Sequence, residues 1–215
     1  MSWHDQIAPL EWGASQDTAR LGVVMAHGRG ATAESLISLL KELPHREEAR
    51  YILPQAYRNT WYPHSFLAPQ RANQPYLDEA LEAFGRAVEM HLEDGIPPEQ
   101  LFLGGFSQGA CLAVEYAARH AQQYGGLFIW SGGLIGDSLN TSRYHGSFED
   151  TPAYLGCSDV DPHIPADRVD ATAAQLTNMG AQVEMNLFAG MGHWVNEEEI
   201  AWLSRRLQQR IKSRP

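Results

Sequence analysis

The sequence has few cysteines, no long apolar run and no excess of basic charge, and each shortage excludes a class of protein. Only two of its 215 residues are cysteines, Cys111 and Cys157, too few for the disulfide framework of a small secreted domain. Both lie in apolar stretches, which predicts buried free thiols and favours a cytoplasmic location. No apolar run approaches the ~18 residues that span a bilayer, so stable membrane insertion is not expected.

Charge and motif content narrow the possibilities further. A formal net charge of −10 argues against nucleic acid or an anionic membrane surface as a partner. The N-terminus lacks a basic stretch followed by an apolar one, so no secretory signal is predicted. Paired C-x-x-C, H-E-x-x-H and the Gly-rich phosphate-binding patterns are all missing, so neither a metal nor a cofactor is expected.

Apolar runs of strand length alternate with amphipathic segments along the whole chain. Predicted strands cover 10–14, 21–26, 51–53, 101–103, 126–130, 153–155 and 183–188, and predicted helices cover 31–43, 76–94, 110–121, 166–179 and 196–212. Strands that are continuously apolar are typical of a parallel sheet buried on both faces. We therefore predict one α/β domain over residues 1–215, with a mostly parallel central sheet and helices on both faces.

The segment Gly105-Phe106-Ser107-Gln108-Gly109 follows one of these strands and precedes a helix. A serine on a sharp strand-to-helix turn leaves no room for side chains two positions away on either side, which requires glycine there. The first amides of the following helix favour negative charge at the same point. This context favours a nucleophilic Ser107 over the alternative, a Gly-rich turn without chemistry.

A serine nucleophile needs a base, and the base needs an acid that orients it. His193 lies between glycines just after the last predicted strand, and Asp161 follows the strand before it. Ligands of parallel sheets bind at the carboxyl ends of the strands, where Ser107 also lies. We assign His193 as base and Asp161 as its orienter, with Asp159 as the rival acid or a turn residue.

Two amide donors should hold the negative charge that develops on a substrate carbonyl. The Gln108 amide, directly after the nucleophile, is one candidate. The Arg29 amide, in the His27–Gly30 loop after the first long strand, is the other. The His27 ring is expected to brace this loop by hydrogen bonds instead of taking part in proton transfer.

The long segment 54–75 is rich in proline and aromatic residues, and loops of this length in a compact domain are usually functional. Trp61 and Tyr62 within it, and Met191 beside His193, are the candidate substrate contacts. Core packing is the alternative for Trp61. Exposed Trp or Tyr side chains would favour a homodimer contact, which the sequence leaves open.

These motifs resemble the phospholipase/carboxylesterase family of α/β-hydrolases, which includes acyl-protein thioesterases and small bacterial carboxylesterases. The resemblance covers nearly the whole chain and is carried by H-G-x-G at 27–30, G-F-S-Q-G-A at 105–110, Asp161-Pro162, Gly192-His193 and the Trp61-Tyr62 pair. It implies an α/β-hydrolase fold without a large cap domain, and the same three residues as nucleophile, orienter and base. It implies a small-molecule ester or acylated substrate, with thioesters and lysophospholipids as alternatives to simple carboxylic esters.

The chain departs from the family pattern beside the H-G-x-G loop. Ala31-Thr32 replaces an acidic residue that relatives often carry, and Arg29 places a cation where they often have an apolar or small polar residue. If Arg29 faces the cleft, it favours an ester bearing a carboxylate or phosphate. The alternative is that Arg29 points to solvent and supplies only its amide.

We therefore predict a serine hydrolase of carboxylic esters with Ser107 as nucleophile, and two other functions are alternatives to it. The first is a non-catalytic ligand-binding protein on the same scaffold, since a fold alone does not establish a function. Such proteins usually lose a catalytic residue, whereas all three candidates are present here. The second, an enzyme similar to dienelactone hydrolases, would be expected to carry a cysteine at position 107, which is serine.

Overall fold

The computed structural model of the chain describes residues 3–41, 43 and 47–213, and these contain a sheet of seven strands. The strands are β1 (Leu10–Gly13), β2 (Leu21–Ala26), β3 (Ala49–Leu53), β4 (Leu101–Phe106), β5 (Gly126–Trp130), β6 (Pro152–Ser158) and β7 (Gln182–Phe188). Their spatial order is β1-β3-β2-β4-β5-β6-β7. Only the pairing of β1 with β3 is antiparallel, so the carboxyl ends of β2 to β7 all lie along one edge.

Within the described part of the chain, five α-helices cover the two faces of this sheet. They are α1 (Ala33–Leu40), α2 (Tyr76–Glu93), α3 (Gln108–Arg119), α4 (Ala166–Asn178) and α5 (Glu197–Lys212). One apolar core contains side chains of α2, α3 and α4, and a second contains side chains of α1 and α5. Among the described residues, no helix is both long enough and apolar enough to cross a membrane.

The central strand β2 shows why continuous apolar runs predict such a sheet. Val24 packs in the core on one face, whereas Val23 and Met25 pack in the core on the other. Because successive side chains of a strand point to opposite faces, a strand covered on both sides must be apolar at every position. The predicted α/β-hydrolase fold, with a mostly parallel sheet and helices on both faces, is confirmed.

Several boundaries differ from the prediction by a few residues, and local hydrogen bonds explain two of them. Helix α1 begins at Ala33 because Thr32 caps it: the Thr32 side chain accepts from the Ser35 amide, and Ser35 reciprocates. Helix α3 begins at Gln108, two residues before its predicted start, because the Cys111 amide already donates to the Ser107 carbonyl. Ser107 alone therefore lies between the end of β4 and the start of α3.

Helix α5 opens with three glutamates, and the third of them forms a capping box with Asn196. Asn196 Oδ1 accepts from the amides of Glu198 and Glu199, and Glu199 Oε2 accepts from the Asn196 amide. Glu199 is also completely buried, and its Oε1 has no hydrogen-bond partner. Burial raises the pKa of this carboxyl to about 7.

Glu199→Gln should flatten the dependence of stability on pH. Above its unfolded pKa of about 4.5, the unfolded carboxyl ionises while the folded one stays protonated, so wild-type stability falls as pH rises to about 7. Above pH 7 this lowers the free energy of unfolding of the wild type by ~3 kcal/mol. Glu199→Gln removes this dependence because its side chain does not ionise. Urea unfolding between pH 5 and 8 would measure it. Parallel wild-type and variant curves over this range would contradict the prediction.

Candidate active site

Ser107 lies on the turn between β4 and α3 in a backbone conformation that side chains rarely adopt, with φ 57° and ψ −122°. The flanking glycines make this turn possible. A Cβ on Gly109 would lie 2.1 Å from the Ala26 carbonyl oxygen, and one on Gly105 would lie 2.6 Å from the backbone of Gly109. The turn is therefore held against the end of β2, and Ser107 is presented at the carboxyl edge of the sheet.

The imidazole of His193 lies directly beside this serine. His193 Nε2 is 2.9 Å from Ser107 Oγ, within hydrogen-bond distance. The ring packs against Phe106, with centroids 4.9 Å apart, and meets the edge of the His163 ring at the same centroid distance. These two ring contacts limit rotation of the imidazole, so Nε2 stays directed at the serine.

The carboxylate of Asp161 completes a chain of hydrogen bonds. Asp161 Oδ2 is 2.6 Å from His193 Nδ1, and Oδ1 accepts from the amides of His163 and Ile164. Burial would raise the pKa of this carboxyl, but the hydrogen bonds from His193 and the two amides outweigh it and hold the pKa below its usual value. An ionised Asp161 requires the proton of neutral His193 to be on Nδ1, which leaves Nε2 free to accept from Ser107.

The rival acid, Asp159, has a different partner. Its Oδ1 accepts from the Gly190 amide at 2.8 Å, and Ser158 Oγ accepts from the Gly192 amide at 3.0 Å. Gly190 and Gly192 both have positive φ, so the loop that carries His193 follows a path suited to glycine. Asp159 thus anchors this loop and does not bind the imidazole, which is the turn role that the sequence left open.

The loop after β2 lies against the same serine. A Cβ on Gly28 would lie 3.3 Å from the Ser107 Cβ. The described residues offer no intramolecular acceptor to the Arg29 or Gln108 amide, so both donors are available to a ligand. His27 braces this loop: Nδ1 donates to the Gly28 carbonyl and Nε2 accepts from the Ala56 amide. Burial lowers the pKa of His27, which keeps its ring neutral at pH 7.

The side chains of Arg29 and Gln108 both hold segment 61–64. Gln108 Oε1 accepts from the Trp61 amide at 3.0 Å, and Gln108 Nε2 donates to the Tyr62 carbonyl at 2.8 Å. The Arg29 guanidinium donates to the next two carbonyls, at 2.9 and 2.8 Å. The two candidate amide-donor residues are thus fixed to one another through this segment. This bridge has no signal in the sequence, because its partners are 34 to 47 residues apart.

A cavity of about 380 Å³ opens beside Ser107 and His193. Its lining includes both candidate amide-donor residues and Tyr62, together with Pro63, His64, Ser65, Phe66, Cys111, His163 and Ile164. Cys111 is an additional lining residue that the motifs did not indicate. Burial raises the pKa of its thiol to about 12, so at neutral pH it is a protonated group and Ser107 is the better nucleophile.

Two predicted substrate contacts are not brought to this cavity. Trp61 is completely buried, and its Nε1 donates to the His27 carbonyl at 2.8 Å, so the core-packing alternative describes it. Met191 lies instead against the start of α5, where its Sδ accepts from Asn196 Nδ2. Neither side chain lines the cavity, because each is already committed to holding a neighbouring loop.

Comparison with known proteins gives a consistent result. The family model described as phospholipase/carboxylesterase matches residues 13–211. A phospholipase/carboxylesterase crystal structure from Dyadobacter fermentans DSM 18053 is similar at a TM-score of 0.90 and 41% identity, covering 94% of this chain and 96% of that one. Acyl-protein thioesterase 1 of Gibberella zeae is 25% identical over 221 residues, which cover 91% of this chain and 92% of the relative. A "probable carboxylesterase" of Oryza sativa subsp. japonica is 28% identical over 135 residues, but the match spans 51% of that relative's length.

Proposed function

The chain belongs to the phospholipase/carboxylesterase family and is a hydrolase of the esterase type, and from this premise we propose that it works through an acyl-enzyme on Ser107. In this proposal His193 is the general base and Asp161 orients it. The Arg29 and Gln108 amides stabilise the oxyanion. The substrates are small carboxylic esters, with thioesters as the alternative acyl donors.

Acylation begins when Ser107 Oγ attacks the substrate carbonyl carbon while His193 Nε2 accepts the serine proton. The carbonyl oxygen becomes an oxyanion facing the two amides, and the imidazolium is stabilised by the ionised Asp161. Collapse of the tetrahedral intermediate breaks the bond to the leaving group, which takes the proton from His193 Nε2. An alcohol or a thiol leaves, and the acyl group stays on Ser107.

Deacylation repeats these steps with water as the nucleophile. His193 Nε2 accepts a proton from the water as the hydroxide attacks the acyl-enzyme, and a second oxyanion faces the same amides. The proton then returns to Ser107 Oγ, and the carboxylic acid is released. The reaction consumes one water for each ester and needs no redox step.

One observation carries the proposal: the hydrogen-bonded chain from Ser107 Oγ to His193 to Asp161, with distances of 2.9 and 2.6 Å. Three further features support it. The serine lies at the carboxyl edge of the sheet, and a cavity of about 380 Å³ opens beside it. Arg29 and Gln108 line this cavity, and their amides have no acceptor among the described residues. The lining is partly apolar, which suits an acyl chain of modest length.

The test is a series of initial rates on p-nitrophenyl esters of increasing acyl length, beside thioesters with the same acyl groups. Hydrolysis that is fastest at one acyl length would establish the activity and show how long an acyl chain the cavity accepts. Comparing esters with thioesters of the same acyl group would show which leaving group, an alcohol or a thiol, is preferred. A fluorophosphonate probe followed by peptide mass spectrometry should label Ser107. If the purified protein hydrolyses nothing in either series and takes up no probe, the non-catalytic binding function replaces this proposal.

A further inference from the structure

Resting on the proposed function, we propose that the substrates carry an anionic group, a carboxylate or a phosphate, which is bound by the guanidinium of Arg29. The sequence alone left open whether this side chain faces the cleft or solvent. In the structure Arg29 is an exposed residue that lines the cavity beside Ser107 and His193, and its guanidinium donates to two other lining residues, Pro63 and His64. This placement gives the active site a fixed cation at its entrance.

The guanidinium is held in place without being neutralised. It donates to the carbonyl oxygens of Pro63 and His64, at 2.9 and 2.8 Å, and none of the described carboxylates forms an ion pair with it. A guanidinium has five N–H donors, so donors remain for a ligand. Because the side chain is already ordered, binding an anion costs little further conformational entropy.

The rest of the cavity wall is compatible with negative charge. His64 and His163 lie on the same wall and can donate hydrogen bonds, and no carboxylate is among the described residues of the lining. The side chain of Asp161, which is hydrogen-bonded to His193, is fully buried, and both of its oxygens are already engaged. An anion at Arg29 therefore meets donors and no competing acid.

The cation at Arg29 contrasts with the overall charge of the chain, which is −10. The negative charge of the whole protein repels anions at long range. Any attraction of an anionic substrate must therefore come from Arg29 at short range. A guanidinium at contact distance acts through charge-assisted hydrogen bonds, which are shorter and stronger than neutral ones. Such a preference is local and belongs to Arg29.

Arg29 also limits where the anionic group sits on the substrate. Its backbone amide is proposed to bind the oxyanion, and its guanidinium belongs to the same residue. The anion must therefore lie within the length of one arginine side chain from the reacting carbonyl. Half-esters of short dicarboxylic acids have this geometry, as do short acyl esters that end in a phosphate. The apolar part of the lining, Tyr62, Phe66 and Ile164, remains for the intervening carbons.

The test compares three p-nitrophenyl esters of one length: a glutarate half-ester with a free carboxylate, its neutral methyl ester, and an analogue ending in a phosphonate. We expect wild-type kcat/KM to favour an anionic ester over the neutral one by about tenfold or more. The faster of the two anionic esters identifies which anion is recognised. Added salt should reduce the preference only partly, because contact pairs are screened less than distant charges.

The variants assign the preference to one side chain. Arg29→Gln should bring the ratio of anionic to neutral kcat/KM close to one, and Arg29→Lys should retain part of it. Taking the ratio cancels any general loss from loosening segment 61–64. Arg20→Gln makes the same charge change before β2, at the opposite edge of the sheet, and should keep the wild-type ratio.

Two results would overturn the inference, and they are distinguishable. Ser107-dependent hydrolysis with equal rates on anionic and neutral esters, or a ratio unchanged in Arg29→Gln, would remove anion recognition and leave the esterase proposal standing. No Ser107-dependent hydrolysis of these three esters, of the acyl-length series or of the thioesters, together with no probe labelling, would remove the esterase proposal and this inference with it.

Discussion

Replacing Ser107 with alanine should lower kcat for a p-nitrophenyl ester by about 10⁴- to 10⁶-fold, with little change in KM. The hydroxyl lies 2.9 Å from His193 Nε2, and no other lining residue combines a nucleophile with a base in this way. The Cys111 thiol cannot substitute for it, because burial raises its pKa to about 12. What remains in the variant is the contribution of the two amides and of substrate binding.

The same prediction extends to a double variant. In the proposed mechanism Ser107 and His193 take part in one proton transfer. The double variant Ser107→Ala, His193→Ala should therefore be slower than either single variant by no more than a few-fold. Multiplying losses would mean that the two residues act independently. Ser38→Ala, an exposed hydroxyl on α1 far from the cavity, is the matched control and should keep wild-type rates. Thermal unfolding of the two single variants, the double variant and Ser38→Ala, each beside the wild type, would show whether the fold is retained.

The activity that remains in Ser107→Ala decides whether Ser107 is the nucleophile. A Ser107→Ala protein that retains more than about one hundredth of wild-type kcat would place the chemistry on another group. Such a result would be credible only if the residual rate survived repurification, since a trace of contaminating esterase gives the same signal. Loss of fluorophosphonate labelling in the variant separates these two cases.

The placement of the three site residues could be predicted because each carries a local signal. Gly105 and Gly109 are glycines because a Cβ at either position would collide with backbone atoms, and this steric demand is visible in five consecutive letters. Asp161 and His193 each follow a strand directly, and the carboxyl ends of parallel strands meet at one edge. Local pattern and parallel topology together were enough to bring the three residues into one region.

The contacts around the site could not be predicted, because they depend on which side chains meet across the fold. Trp61 and Tyr62 are adjacent aromatic residues in the same loop, yet only Tyr62 lines the cavity. Trp61 is directed inward by its hydrogen bond to the His27 carbonyl. The grip of Arg29 and Gln108 on segment 61–64 likewise joins residues far apart in the chain. Sequence patterns report burial and periodicity but not such pairings.

The edge strands show a related limit in the fold itself. Strand β7 pairs with β6 on one side, and among its residues three are exposed and none is buried, whereas the inner strands β2 to β6 are buried at nearly every position. The sequence predicts this strand at 183–188, one residue shorter than the observed Gln182–Phe188. The predicted strand at 10–14 is β1 at the other edge of the sheet, and its antiparallel pairing with β3 has no signal in the sequence. Position in the sheet decides these features.

Asp161→Asn should lower kcat by about 10⁴-fold while leaving the fold intact, as expected for loss of the orienting acid in a serine triad. The lowered pKa of Asp161 keeps the wild-type carboxyl ionised at neutral pH, so it accepts the Nδ1 proton of His193. An asparagine that directs its amide N–H at Nδ1 would favour the tautomer with the proton on Nε2. That nitrogen could then no longer accept a proton from Ser107.

Asp159→Asn is the matched control, because it makes the same chemical change two residues away. The side-chain carbonyl oxygen of the introduced amide can still accept from the Gly190 amide, as Asp159 Oδ1 does, so the loop that carries His193 should stay in place. We therefore expect no comparable loss of kcat in this variant. The decisive comparison is the ratio of the two variants' kcat values at pH 7. A larger loss in Asp159→Asn would transfer the orienting role to Asp159, which would require the loop after β6 to rearrange and give His193 a new partner.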